Sequence, residues 1–365
     1  MTTQWQEVMN KIEYDDLGKA DYTVPVRHVR MNKDGFIGDK RFGYVAGQLG
    51  ESLNGLAPNE HALSQFASRL GIPAKYAKKC FDENPHMIAS HFNYWLDTLE
   101  EDDKDKQFFL RAKADTLRAV LTDKYAQLDN SFVFDALGAN LQNGSVVDVK
   151  NFNLSDKYLN LRLMFPDLTS NIGTSINKDN VMVGIHITNS EVGSSSLRID
   201  SCLFRLVCSN GLIARVGGES LMKQRHVHLS RNEMENRVAD AISESLKQGD
   251  GLLEDFARTK EITVKNPMKV LEELAKKQKY SDAFTDTLKS SFNSEPGNDA
   301  FHIVNAFTHA SQSLPFDRRV EVETFAGKVM HDYLGNGNRL PVDIAAPTSR
   351  LKVVDDDPFD AFTQF

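Results

Sequence analysis

The sequence has few cysteines and no long apolar run, and each shortage excludes a class of protein. Its three cysteines, Cys80, Cys202 and Cys208, are an odd number at spacings unlike those of zinc sites. They predict reduced thiols in a cytoplasmic protein rather than a secreted disulfide scaffold. No apolar run reaches the roughly 18 residues of a membrane span. The N-terminus "MTTQWQEVMNKIEYDD" lacks the basic and apolar regions of a signal peptide.

Basic charge is also in short supply. The chain has 43 Lys and Arg residues against 51 Asp and Glu residues, a formal net charge of -8. Four of the aspartates and no basic residue lie in Val353–Phe365, so the rest of the chain carries a milder negative charge. An acidic protein is not typical of nucleic-acid binders. A local basic strip can still act over a Debye length of roughly 8–10 Å, so the composition leaves DNA binding open.

The common catalytic motifs are missing as well. The sequence has no Gly-rich phosphate loop between a strand and a helix, and no G-x-S-x-G or H-E-x-x-H motif. We therefore expect no catalytic residues and no cofactor.

The order of apolar patterns predicts an α+β protein with a central antiparallel sheet. A mixed N-terminal part with helices is expected over 1–105, and the sheet core over 106–228. A helical C-terminal part follows over 229–334, and a linker with a disordered acidic tail over 335–365. Alternating apolar and polar residues in "SLRIDSCLFRLV" indicate that the sheet is half-buried.

A polar loop, Asn189–Ser196, separates two of the predicted strands, and Asn210-Gly211 has the composition of a tight hairpin turn. The loop is open to two interpretations. It is either a plain hairpin connection or a nest of backbone N–H groups that receives a phosphate or carboxylate.

Three segments of the chain are distinctive, namely "RAVLTDKYAQLDN", "NSEVGSSSLRIDSCLFRLVCSNGLI" and "HVHLSR". Together they resemble the phage- and plasmid-like family known as domain of unknown function 932, and the resemblance spans about residues 60–240. It implies a setting in mobile elements such as phages, plasmids and integrative elements. It implies no established activity, so function has to be inferred from the residues themselves.

Two histidines in "HVHLSR", His226 and His228, would share a face of a strand and could chelate a metal. A third ligand would have to come from His186 or Glu191. Without a clear third ligand, we expect no bound metal. Cys208 could act as a nucleophile only beside a base, and it fits a small buried residue more simply.

Basic residues concentrate in two parts of the predicted sheet, around "RAKADTLRAVLTDKYAQ" and from Arg205 to Arg231. Arg111 and Lys113 would share a strand face. Cations that follow phosphates, with rings that stack on bases, are typical of single-strand binders. The alternative is that these side chains merely solvate the sheet. The candidate DNA contacts are Arg111, Lys113, Arg118, Lys124, Tyr125, Arg205, Arg215, Lys223 and Arg225.

The C-terminal stretch "DDDPFDAFTQF" resembles the acidic tip of bacterial single-stranded DNA-binding proteins. Its aspartates repel one another and favour an extended segment. A partner with a basic rim and an apolar cleft could capture the rings and the terminal carboxylate. Alternatively, the rings dock on their own domain. The candidate partner-binding residues are Asp355, Asp356, Asp357, Pro358, Phe359, Phe362 and Phe365.

Three functions remain after these observations. The preferred one is a non-catalytic, cytoplasmic single-stranded DNA-binding protein of a mobile element. It would recruit replication or recombination proteins through its tail, would not bind a membrane, and could form a homo-oligomer. The second is a metal- or phosphate-dependent enzyme built around His226, His228 and the Asn189–Ser196 loop. The third is a protein-binding accessory factor that counters host defence.

Overall fold

A computed structural model describes residues 3–41, 55–141, 147–174, 178–206, 210–215, 220–226 and 230–336. The helices found there are α1 (Thr3–Asp16), α2 (Glu60–Arg69), α3 (Ala74–Glu83), α4 (Pro85–Thr98), α5 (Glu101–Asp105), α6 (Asn130–Leu141), α7 (Arg231–Arg258), α8 (Pro267–Lys277), α9 (Asp282–Ser294), α10 (Ala300–Ser311) and α11 (Phe316–Asn336). The strands are β1 (Lys19–Pro25), β2 (Val29–Met31), β3 (Ile37–Asp39), β4 (Ala57–Pro58), β5 (Gln107–Lys113), β6 (Thr116–Thr122), β7 (Asp148–Leu154), β8 (Leu159–Asn171), β9 (Asn180–Asn189), β10 (Leu197–Arg205), β11 (Asn210–Ala214) and β12 (Met222–Gln224).

The N-terminal part contains a four-stranded sheet in the order β1-β5-β6-β4. Helices α2, α3 and α4 share a buried apolar cluster with β5 and β6. Within this cluster, Phe66 of α2 meets Phe92 of α4 and Phe108 of β5 edge to face. Asn59 starts α2, because its side chain accepts a hydrogen bond from the Ala62 N–H at 2.8 Å.

The expected single sheet over 106–228 is wrong for its first two strands. β5 pairs with β1 along its whole length, from Lys113 opposite Lys19 to Gln107 opposite Pro25. β5 and β6 therefore belong to the N-terminal sheet, and β7 to β12 form a separate six-stranded sheet. An alternating pattern indicates a strand, but the choice of its neighbour depends on tertiary packing.

The six-stranded sheet is antiparallel, in the order β11-β10-β9-β8-β7 with β12 also paired to β10. One face, with Ile185, Ile199 and Leu203, belongs to the same apolar cluster as α6 and α7. The other face carries a smaller cluster that includes Met164 and Cys202. β9 and β10 are thus buried on both faces, whereas the sequence predicted a half-buried sheet.

Side-chain caps set the beginnings of the C-terminal helices. Ser230 and Glu233 form a reciprocal capping box at the start of α7. Pro267 occupies the first turn of α8, where its missing N–H is not needed. Ser281 and Asp299 accept backbone hydrogen bonds at the starts of α9 and α10.

The predicted α+β class is confirmed, with N-terminal helices, antiparallel sheets and C-terminal helices. The acidic tail lies outside the described residues, as do Cys208 and His228. Among the helices of the described ranges, none is both long and apolar enough to cross a membrane.

Candidate nucleic-acid interface

The loop between β9 and β10 places a buried carboxylate, that of Glu191, where the two sheets meet. Its side chain is 1% exposed and contacts Lys19 Nζ at 2.7 Å and Arg118 Nη2 at 3.1 Å. The Asn130 N–H, at the start of α6, donates to it at 2.9 Å. Burial alone would raise the pKa of Glu191, but Lys19, the Asn130 N–H and Arg118 lower it below its usual range. An ionised Glu191 therefore joins β1, β6 and α6 to the six-stranded sheet.

The next residues of this loop are fixed by α2 and β6. The Gln65 amide donates to the Val192 carbonyl at 2.9 Å and accepts from the Val120 N–H at 2.9 Å. Gly193 has a φ of +75°, and a Cβ there would lie 2.8 Å from Leu121 Cδ2. The loop is therefore a tightly packed connection between antiparallel strands, as in the first of its two interpretations.

Arg111 lies in the same junction, not on an accessible sheet face. Its guanidinium binds Asp21 through Nε and Nη2 at 2.9 and 3.1 Å, and Asp129 at 2.6 Å. It also donates to the Glu191 carbonyl at 3.0 Å. Because its donors are engaged and it is buried, the structure corrects Arg111 from a DNA contact to an internal ion-pair partner.

Arg118 and Arg205 are corrected for the same reason. Arg118 is buried against Glu191, as described above. Arg205 is buried between Asp179, at 2.6 Å from Nε, and Glu295, whose two oxygens each lie 2.6 Å from the guanidinium. Since Glu295 follows α9, Arg205 joins β10 to the C-terminal helices.

Two further candidates are partly exposed but already paired with carboxylates. Lys113 Nζ lies 2.6 Å from Asp15 of α1. Arg215 binds Asp200 of β10 through Nε and Nη2 at 2.9 and 3.0 Å. A phosphate would have to compete with these partners, so neither residue is a strong DNA contact.

The segments that carry the remaining basic candidates meet at a ring contact. The rings of Tyr125 and His226 stack with centroids 4.9 Å apart, and a backbone hydrogen bond of 2.7 Å joins their two segments. Lys124 and Arg225, the chain neighbours of these rings, are both exposed. Lys223, on β12, is exposed as well. We call Lys124, Lys223 and Arg225 the basic patch.

Phe109 extends the ring contact to a ladder of three rings, with its centroid 6.2 Å from that of Tyr125. Tyr125 is buried, its hydroxyl donates to the Ser190 carbonyl at 3.0 Å, and burial raises its pKa. The predicted base-stacking role of Tyr125 is therefore wrong for its own ring. Phe109 is partly exposed, so it is the ring of the ladder that a nucleobase could reach.

A family model described as a domain of unknown function, DUF932, matches residues 119–321, more than half of the chain. The chain belongs to the DUF932 family. The matched region runs from β6 through Glu191 and the six-stranded sheet into α11. It therefore excludes Lys19 and Arg118, the two cations that pair with Glu191. No curated protein and no solved structure matches the chain.

One serine in the DUF932 region faces a histidine, but their geometry does not activate the serine. Ser194 Oγ lies 3.2 Å from His61 Nε2, and the Val192 carbonyl lies 3.0 Å from the same nitrogen. A ring nitrogen that donates to a carbonyl cannot accept a serine proton. Burial lowers the pKa of His61 to about 4, so the ring is neutral at pH 7.

The proposed metal ligands do not converge within the described residues. Glu191 is committed to ion pairs, and His228 lies outside the described ranges. Burial, reinforced by nearby arginines, lowers the pKa of His186 to about 3 and that of His226 to about 4. Among the residues that the structure describes, no group of three His, Cys, Asp or Glu side chains is arranged to hold a metal ion. His226 is a neutral ring that stacks on Tyr125.

A buried ion pair between Arg162 of β8 and Glu323 of α11 was not predicted from the sequence. Gly211 makes room for it, since a Cβ at that position would lie 1.9 Å from Arg162 Nη1. Asn210 and Gly211 are the first residues of β11, paired with β10, and not the centre of a hairpin turn. The only signal in the sequence was the glycine, which we interpreted as a turn residue.

Proposed function

We propose that this DUF932 protein is a non-catalytic, single-stranded DNA-binding protein of a mobile element, acting in the cytoplasm in replication or recombination. The observation that supports it is the basic patch. Sequence analysis selected Lys124 from one segment and Lys223 and Arg225 from another, distant one. The stack of Tyr125 on His226 joins these two segments. The mobile-element setting rests on the family resemblance alone.

The patch has the chemistry that a single strand needs. Its cations can contact successive phosphates of the strand. The partly exposed ring of Phe109 can stack on an unpaired base, which a duplex would keep within its own base stack. Three phosphate contacts give a slope of log K against log salt of about -2 for a single strand. Affinity should then fall about 20-fold between 50 and 200 mM salt. Asp21 and Asp129 lie close to the ring ladder but are occupied by Arg111, so repulsion of the phosphates is moderated.

The test is a fluorescence-anisotropy titration of labelled single- and double-stranded oligonucleotides at several salt concentrations. We expect tighter binding to the single strand, with little sequence preference. Replacing Lys124, Lys223 and Arg225 by Ala should bring the salt slope close to zero. The matched control removes three exposed lysines of the C-terminal helical part, Lys265, Lys276 and Lys277, and should bind like the wild type.

Two results would contradict the proposal at different levels. If the patch variant and the control bind equally well, DNA binding lies elsewhere on the molecule. If the wild type does not bind at low salt, the protein is not a single-strand binder, and the accessory-factor hypothesis takes its place. One tightly held metal ion per chain, found by elemental analysis, would favour the enzyme hypothesis instead.

The tail is proposed, on its sequence, to compete with DNA and to recruit replication or recombination proteins. Deleting Asp355–Phe365 should tighten DNA binding by something on the order of 1 kcal/mol, as expected for a few screened contacts. Changing Phe359, Phe362 and Phe365 to Ala should remove recruitment and keep the electrostatic effect. A marked fall in melting temperature, with DNA binding unchanged, would show instead that the rings are a structural strap.

A further inference from the structure

The outward face of α4 is aromatic although it is exposed, and the one charged residue of this helix, Asp97, is paired with Arg30. Tyr94 is 61% exposed and Trp95 is 48% exposed, and Met87 is exposed on the same helix. Residues 85–96 contain no Asp, Glu, Lys or Arg. The solvent face of a helix normally carries charged residues, and an exposed apolar patch marks an interaction surface.

These outward residues are not needed to hold α4 in place. The opposite side of the helix is anchored in the core by Ile88, Phe92 and Leu96. Asn93 adds two hydrogen bonds to the backbone of Met31, one of 3.0 Å from its N–H and one of 2.7 Å to its carbonyl. The outward rings are therefore presented on a firmly packed helix.

The aromatic surface continues onto α3. Tyr76 stacks on His91 of α4, with centroids 5.8 Å apart and planes at 13°, and its hydroxyl lies 3.2 Å from His91 Nδ1. Lys79 and Glu83 follow Tyr76 by three and seven positions, on the same side of α3. Both are exposed, and neither forms an ion pair within the part of the chain that the structure describes.

We propose that this α3–α4 surface, formed by Tyr76, Met87, His91, Tyr94 and Trp95, is an interface between two copies of the chain. The positive charge of Lys79 beside its aromatic core is balanced by the negative charge of Glu83, so the surface has no excess of cations for a phosphate backbone, which disfavours a nucleic acid as the occupant. Tyr, Trp and Met in a charge-depleted centre are typical of protein interfaces.

The charges beside the core indicate a second copy rather than a different protein. A two-fold axis makes the same surface face itself. If the two α3 helices cross this axis antiparallel to each other, Lys79 of each copy approaches Glu83 of the other copy. The same two residues then form two attractive contacts across the interface. The inference does not depend on DNA binding. If the proposed function is correct as well, a dimer presents two basic patches and gains avidity.

The first test is sedimentation velocity of the full chain without DNA, from about 1 to 100 µM, where micromolar association is visible. We expect a monomer–dimer equilibrium. Trp95→Ala should raise its dissociation constant at least about 30-fold, the effect of losing a central aromatic anchor. Tyr14→Ala removes another exposed ring, on α1, and should leave the equilibrium unchanged.

Charge reversal tests the two-fold arrangement itself. Lys79→Glu and Glu83→Lys should each weaken self-association, because like charges then meet across the axis. Mixing the two single variants should restore dimers, since each mixed contact is attractive again, and so should the double variant. Circular dichroism of each variant separates weaker association from loss of folding. The proposal is overturned if the wild type stays monomeric over the whole range, or if Trp95→Ala and the charge reversals leave dimers unaffected.

Tryptophan fluorescence gives an independent readout. Trp5 is 3% exposed and stacks on Phe134, so Trp95 is the accessible one of the two tryptophans. Quenching by acrylamide should fall as protein concentration rises through the dimerisation range. Quenching that stays constant while dimers form would place the interface elsewhere and refute the assignment of this surface.

Discussion

Replacing Glu191 by Gln tests whether the loop between β9 and β10 holds the two sheets together. The change keeps the shape of the side chain and removes the charge that faces Lys19 and Arg118. Removing one partner of a buried ion pair costs about 3–5 kcal/mol. Lys19 keeps Asp15 and Asp16 as partners, at 2.9 and 2.6 Å. The loss should therefore lie at the lower end of that range, about 3 kcal/mol.

Urea and thermal unfolding followed by circular dichroism measure this loss. A change of about 3 kcal/mol corresponds to a melting temperature lower by about 6–12 °C for a unit of 150–250 residues. Glu101→Gln is the control, because Glu101 is 74% exposed and pairs with Lys104 at the surface. That variant should unfold like the wild type, because exposed ion pairs contribute little to stability.

The pH dependence of this stability loss provides a second test of the role of Glu191. Because the folded-state pKa of Glu191 lies below the ordinary value of 4.5, its stabilisation is complete above that pH and is lost as the pH falls. The difference between wild type and Glu191→Gln should therefore narrow below about pH 4.5. A loss of less than about 1 kcal/mol at pH 7, well under the expected range, would refute the role given to this carboxylate.

Three other predictions follow from buried groups. His61, His186 and His226 stay neutral, with pKa values of about 4, about 3 and about 4. As the pH falls from about 6 to 4, each should therefore reduce stability by up to about 1.4 kcal/mol per pH unit, and His186→Gln should remove about a third of their combined slope in urea titrations. Arg162→Met leaves Glu323 paired with Arg319 at 2.9 Å and should therefore cost about 3 kcal/mol of unfolding free energy, the lower end of the range for a broken buried pair. Adding Glu323→Leu should recover part of this loss, and no recovery would contradict the ion-pair account. Burial raises the pKa of the Cys202 thiol to about 12, so peptide mapping should find it unmodified by a thiol reagent at pH 8 until urea is added.

The fold class could be predicted from the sequence because it depends on local periodicity. The capping box of Ser230 and Glu233 and the alternation in β10 are both visible within a few residues. Strand partners are not local. Whether β5 pairs with β1 or with β7 is decided by packing between distant segments, and the sequence carries no direct record of that choice.

The site was predicted less well, because a basic residue looks the same in the sequence whether it is free or paired. Arg111 finds Asp21 across a sheet and Asp129 across a loop, and neither contact follows from spacing. Glu191 was considered as a metal ligand, and its ion pairs with the N-terminal sheet were not foreseen. Lys124 and Arg225 are predicted from separate segments, and the contact between those segments became visible only in the structure.

The most direct test of the account is the salt-dependent titration of a single-stranded oligonucleotide with the wild type and the basic-patch variant. The account predicts binding at low salt, a slope of log K against log salt of about -2 for the wild type, and a slope close to zero when Lys124, Lys223 and Arg225 are replaced by Ala. Absence of binding by the wild type at low salt, or an unchanged slope in the variant, would contradict it.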